Sequence, residues 1–224
     1  MRNIVSLSEH EMKIHLFNAA ALYSKYVDTD LLFIYRQPKN KQYDFYEVHF
    51  GKENFMHLAG VKSKILSATE FYQKCLENKI TRQDCTPCHS VMNMYSKISI
   101  LESLLDFKHC KLYKIGLKNL ITKDNDFEIA TGNSMGLIGY DRRVTKAGTN
   151  LIDDSKLAVP TTLLNEHIKN YCQYPEKIMF VLQKKSDELK YENILYEIKK
   201  CLFFEERENF SMDILKRCRN ELLS

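Results

Sequence analysis

Residues 31–50, LLFIYRQPKNKQYDFYEVHF, set the fold class. LLFIY (31–35) is rich in residues that favour strands, PKNKQ (38–42) is a polar turn opened by a proline, and YDFYEVHF (43–50) follows as a second such run. Two runs of this kind joined by a turn-forming segment make a β-hairpin. Side chains alternate across a strand, so Tyr46, Val48 and Phe50 share one face and Phe45, Glu47 and His49 the other.

The flanks of the hairpin are helical. Ser8 and Glu11 make a capping-box pair, with Met12, Leu16, Ala19, Ala20, Tyr23 and Val27 behind them at helical spacing. Ser67 and Glu70 repeat the signal ahead of Ala68, Phe71, Tyr72, Cys75 and Leu76. A third helix is expected over about 90–106, its stripe running through Val91, Met94, Tyr95, Ile98, Leu101 and Leu105. KLYKIGL (111–117), FEIAT (127–131), MGLIGYD (135–141) and KIMFVLQ (177–183) then spell strands, with turns at Asp124–Asp126 and Gly132–Ser134. Residues 141–160 are polar and predict a surface loop, and LLNEHIKNY (163–171) a short helix. Two further helical patterns cover roughly 187–204 and 211–223. There is no internal repeat and no clean boundary. We expect one α+β domain over 1–224, with an N-terminal helix, inserted helices, a mainly antiparallel sheet and C-terminal helices.

The 224 residues are enough to bury a core, and 44% hydrophobic with 28% charged residues is the balance of a soluble globular chain. No apolar run approaches the roughly 18 residues of a membrane span. The start, MRNIVSLSEHEMK, lacks the pattern of a signal peptide, so a cytoplasmic chain without a membrane partner is expected. In a reducing compartment the seven cysteines read as free thiols. The net charge of +4 is uneven: residues 31–120 carry 14 Lys/Arg against 8 Asp/Glu, whereas 161–224 carry 11 of each. A basic middle segment suits a polyanion such as RNA, though solvated lysine-rich faces are common too.

CTPCH (85–89) has the spacing of covalent haem attachment, but that chemistry needs export. As a zinc site it offers Cys85, Cys88 and at most His89, with no second Cys pair. We read it as a turn and expect neither cofactor nor metal. GNSMGLIG (132–139) lacks the GK[ST] of a phosphate loop, and no GxSxG or HExxH occurs.

ENFMHLAGV (53–61) places His57 in an apolar run. On composition alone it is a hydrogen-bonded core histidine. Yet Tyr46, His49, Lys52, Asn54, Lys62 and Lys64 cluster around it in sequence, and Gly60 permits a close approach of backbone or ligand.

The string YEVHFGKENFMHLAGV (46–61) followed by FYQKCLENKIT (71–81) resembles the phage-associated branch of the barnase, EndoU, colicin and RelE-like nucleases, its fourth phage group. The Asn-Phe-x-His-Leu-x-Gly segment and the Phe-Tyr-x-Lys-Cys helix carry the resemblance. It extends more weakly through Lys97 in MYSKISILESL, TGNSMGLIGY and PTTLL (160–164), touching roughly 30–185, with 187–224 as a helical extension.

The resemblance implies a curved sheet and metal-independent RNA cleavage of the kind used by toxins in conflict systems, with an antitoxin or immunity protein as a second partner. It implies His57 as general base or acid and Lys97 as the cation facing the phosphorane. Thr161 would hold a phosphate oxygen, and Tyr46 would stack on a base or donate a proton. His49, Lys52, Lys64 and Thr162 would line the RNA. An arginine and a serine are expected after Pro160, where Thr161 and Thr162 stand instead. A hydroxyl still bonds phosphate, but a missing guanidinium weakens charge stabilisation. Two other readings compete: an inactive RNA- or protein-binding module of this fold, and a zinc-bearing interaction domain built on Cys85 and Cys88.

Overall fold

The computed structural model describes residues 8–37, 41–107, 113–118, 127–142, 157–199 and 201–223. In chain order its elements are α1 (Glu9–Tyr23), β1 (Thr29–Arg36), β2 (Tyr43–Phe50), α2 (Asn54–Leu58), β3 (Val61–Lys62), α3 (Ala68–Leu76), β4 (Thr86–Pro87) and α4 (Val91–Leu105). Then come β5 (Lys114–Leu117), β6 (Ile129–Gly132), β7 (Leu137–Asp141), β8 (Val159–Leu164), β9 (Glu176–Lys185), β10 (Asn193–Glu197), α5 (Met212–Arg217) and α6 (Asn220–Leu223).

The hairpin forms as its sequence predicts, with Thr29 opposite Phe50 and Arg36 opposite Tyr43. Its neighbours give the antiparallel order β2-β1-β9-β5-β6-β7-β8, with β10 also paired to β9. The sheet curls until its two outer strands meet: Val48 and Ala158 make a parallel bridge, and His49 N–H donates to the Ala158 carbonyl at 2.8 Å.

LLFIY is apolar without alternation because both of its faces are buried. Leu31 and Phe33 join the helix-bearing concave face with Tyr46, Val48 and Phe50. Leu32 and Ile34 point the other way, into a cluster with Tyr43, Phe180, Leu182, Tyr191, Phe203, Phe210 and Ile214. The C-terminal segment therefore covers the convex face.

On the concave face α1 starts at the Ser8–Glu11 capping box and buries Met12, Leu16, Ala19, Ala20 and Tyr23. Val27 falls beyond its end. α3 starts at the second capping box and buries Phe71, Tyr72 and Cys75. The core is aromatic: Tyr23 packs against Phe50, Phe55 and Tyr72, and Phe33 against Phe107, Tyr113 and Tyr140.

Three expectations are corrected. Over 187–204 there is no helix among the described residues; instead β10 pairs along β9, Asn193 opposite Gln183 and Glu197 opposite Phe180. The free edge of β9 offers backbone partners that outweigh a weak helical pattern. Leu163 and Leu164 belong to β8, so only Ile168–Asn170 of LLNEHIKNY forms a helical turn, of the 3-10 type. Finally ENFMHLAGV is not merely an apolar run but contains a helix, α2. The turn expected at Asp124–Asp126, most of the loop 141–160, residues 111–112 and part of PKNKQ lie outside the described residues.

The buried polar chemistry of the sheet centres on Thr131. Its hydroxyl lies 3.0 Å from Tyr113 Oη and 2.7 Å from Tyr140 Oη, with all three residues buried. Replacing Thr131 by Val keeps the shape and removes one hydrogen-bond partner from each of two buried tyrosine hydroxyls, so Thr131→Val is expected to cost about 1–3 kcal/mol. Urea denaturation checks this; an unchanged midpoint would show the hydroxyl network to be idle.

Candidate active site

α2 buries Phe55 and Leu58, one helical turn apart, which leaves His57 exposed on the other side. Phe55 is fixed by aromatic contacts with Tyr23, Phe71 and Tyr72. Immediately after α2, Gly60 adopts φ +73°, a conformation that a residue with a Cβ avoids. A Cβ here would also meet Lys97 Cδ at 2.8 Å, so the lysine stem crosses the chain directly over this glycine. The Gly60 carbonyl accepts from Cys88 N–H at 2.8 Å, and Val61 and Lys62 then pair with Pro87 and Thr86. Segment 57–62 is thereby held between α4 and the CTPCH turn.

His57 has one face open to water while protein crowds its other sides. That crowding lowers its pKa below the ordinary 6.5, and the charges of Lys97 and Lys62 lower it further. The imidazole is therefore mostly neutral at pH 7. Lys97 is half-buried, and its own pKa is lowered by burial, with the Cys88 thiol acting in the opposite direction. One turn before it on α4, Asn93 Oδ1 is buried without a partner among the described residues and also points to the Gly60 region.

β8 completes the surroundings, since both α2 and α4 pack against it. Asn165 Nδ2 donates to Ser96 Oγ, and Gly136, beside Leu164, lies against Ile100. The register of β7 with β8 slips between Gly139–Thr162 and Tyr140–Pro160, leaving Thr161 as the extra residue of a bulge. Bulges re-aim side chains and recur beside active sites. Thr161 Oγ1 donates to the Gly139 carbonyl at 3.3 Å, and Thr162 is half-buried.

The fold thus gathers α2 with His57, α4 with Lys97 and β8 with Thr161 and Thr162. Tyr46 stands further back along β2, 5% exposed, its hydroxyl donating to Glu128 Oε2 at 3.4 Å and its ring under the Arg142 guanidinium at 4.7 Å. Burial and then Glu128 push its pKa well up, against the opposing pull of Arg142.

His49 lies on the opposite face of β2, 2.9 Å from Asp30 and 3.1 Å from Ser186 Oγ, with Lys184 pairing the same aspartate at 2.7 Å. Hydrogen bonding to Asp30 outweighs burial there and raises the His49 pKa. Lys52 pairs with Asp28 at 3.1 Å, and Lys64 is exposed. The residues that sequence reading missed are Asn93, Arg142 and Glu128. Only Asn93 left a trace in the sequence, four residues before Lys97 and hence on its face of the helix.

Cys85 is buried, which pushes its thiol up to about 12, and Cys88 is half-buried. Among the described residues no group of three or more His, Cys, Asp or Glu is arranged to hold a metal ion. Nor is any helix there long and apolar enough to cross a membrane.

The architecture is an α+β fold with a curved antiparallel sheet, and the segments that carry His57 and Lys97 pack near its closing strand. Residues 15–200 match the family model described as phage-Barnase-EndoU-ColicinE5/D-RelE like nuclease 4, and the chain belongs to that family. No curated protein and no solved structure matches it.

The geometry sets an expected titration. Lys97→Met keeps an aliphatic stem over Gly60 and removes a positive charge that opposes the imidazolium, so the His57 pKa should rise toward 6.5. NMR titration of the imidazole tests this, and an unmoved midpoint would separate the two side chains electrostatically.

Proposed function

We propose that the protein is a metal-independent endoribonuclease that cleaves by attack of the 2′-hydroxyl, leaving a 2′,3′-cyclic phosphate and a 5′-hydroxyl. The observation that carries this is the neutral, solvent-reachable His57 on the element beside Lys97. A neutral imidazole near physiological pH is a ready base.

His57 takes the 2′-hydroxyl proton as O2′ bonds to phosphorus. Lys97, with Lys62 at the rim, offsets the charge that grows on the phosphorane, an electrostatic task suited to fixed cations. Thr161 and Thr162 supply hydroxyls to non-bridging oxygens. As the bond from phosphorus to O5′ breaks, Lys97 gives that oxygen a proton; burial has already lowered its pKa toward that role. Tyr46 stays outside this proton path, and His49, Lys52 and Lys64 act at most on flanking RNA. Membership of a phage nuclease family supports a toxin role in a mobile-element conflict, with cytoplasmic RNA as substrate and a neutralising protein as partner.

Incubation of the pure protein with total RNA in excess EDTA should give fragments with cyclic-phosphate ends. His57→Ala should lower the rate about 10²–10⁴-fold, the range for a lost acid–base group. Cleavage that needs a divalent ion, or that survives His57→Ala, sinks the mechanism. In the wild type the acid limb of kcat/KM should fall below pH 6.5, because the group that must be deprotonated has a lowered pKa. A limb above that value would name another base.

A second reading, an inactive binding module of the same fold, draws on Thr161 and Thr162, neither of which can supply the charge of a guanidinium. RNA bound but uncleaved under all conditions would favour it.

A further inference from the structure

The concave face has a second chemical feature, at the end of the sheet away from α2. A cavity of about 310 Å³ opens there, lined among others by Tyr35, Asp44, Leu117, Ile129, Tyr174 and Glu176. Asp44 and Tyr46 are on the same face of β2, so this cavity and the aromatic core share one side of the sheet. From Asp44 to Phe50 the strand spans about 20 Å. The cavity is thus remote from His57.

Its polar groups are unequally satisfied. Asp44 accepts from Tyr35 Oη at 3.1 Å, Gln37 Nε2 at 2.8 Å and Phe45 N–H at 2.8 Å. Glu176 has no hydrogen-bond donor among the described residues. Burial raises its pKa against the opposing charge of Lys114. Hydrophobic surface is also left open here: Leu117 is 61% exposed and Tyr174 is 87% exposed. Tyr174 moreover holds φ +43°, a backbone conformation unfavourable to an aromatic residue. Strain on an exposed ring brings the fold no packing in return, and it places that ring at the cavity mouth.

A half-buried carboxylate lacking donors, between apolar walls and an open aromatic, fits a flat group with two adjacent N–H donors. Among RNA bases guanine presents that edge, at N1 and its exocyclic amine, and charge-assisted paired bonds to one carboxylate are strong. Unpaired RNA bases are held in this way, stacked on aromatics and bonded along their Watson–Crick edge. Binding cavities of small molecules begin at roughly 300 Å³, so this one suits a single base or nucleoside rather than an oligonucleotide.

We propose that the cavity between the start of β2 and β5 is a guanine subsite remote from the cleavage centre, with Glu176 reading the base edge and Tyr174 stacking on the ring. This rests on RNA being the substrate, and it adds a sequence preference several nucleotides away from the cleaved bond.

Binding of guanosine 5′-monophosphate to the full chain, read by calorimetry beside the adenosine, cytidine and uridine monophosphates, tests the proposal without any cleavage step. The guanine nucleotide should bind at least about 10-fold tighter than the others, the order of discrimination that one well-formed bidentate pair supplies. Glu176→Gln should erase that preference. Tyr174→Ala, at a site too exposed to unfold the chain, should weaken binding severalfold, and His57→Ala should leave it unchanged. Equal binding of all four nucleotides, or a guanine preference that survives Glu176→Gln, overturns the subsite. So does displacement of the guanine nucleotide by arginine methyl ester at similar concentration, which would mark the cavity as a seat for a peptide guanidinium. Loss of RNA cleavage in His57→Ala tests the catalytic reading separately, so either can fail alone.

Discussion

The contact between β2 and β8 at Val48 and Ala158 is the constraint on which the site depends. Sequence order alone leaves the hairpin and β8 more than a hundred residues apart. Curling the sheet until these strands touch lays β8 beside the helix that follows β2. Without that closure Thr161 and Thr162 would belong to a free edge, and α2 would lose one of the elements it packs against most extensively. The twist common to all sheets provides the curl, and small residues allow it. Gly139 fits against Phe127 and Gly136 against Ile100, where a side chain would collide at 2.6 and 2.3 Å.

A second economy lies in Gly60. One residue without a side chain reverses the backbone, lets a lysine stem cross it and offers its carbonyl to Cys88. The lysine is thereby partly desolvated on the chain segment that carries the histidine, and both groups are driven toward their neutral forms. Pairing either with a carboxylate would have done the opposite. That is what happens on the other face of β2, where Asp30 draws His49 toward its charged form. Two histidines eight residues apart thus have opposite electrostatics because burial, reinforced by lysines, prevails at one and an aspartate overrides it at the other.

Much of this was legible in the sequence. Both capping boxes, the hairpin and the apolar stripe of α4 are local signals, and local signals need only a few neighbouring residues to be decoded. β10 was not legible, because Asn193–Glu197 becomes a strand only where the edge of β9 presents partners. β8 was missed for the same reason. His57 and Lys97 were named through the family resemblance of their segments, but the contact of Lys97 with Gly60, 37 residues earlier, has meaning only in three dimensions. Arg142 and Glu128 gave no signal at all, since their relation to Tyr46 arises from strands that are distant along the chain.

The position of β9 has a consequence for the chain as it is made. β1 lies between β2 and β9, yet its second partner is not synthesised until more than 130 residues later. Until then one edge of β1 is open, the sheet has no middle, and the His57 region has no β8 against which to pack. Pairings this distant carry a loop-closure cost that is met only near the end of folding. A chain of this nuclease family is therefore assembled so that the surface between α2 and β8 cannot be complete while most of it is still a nascent peptide.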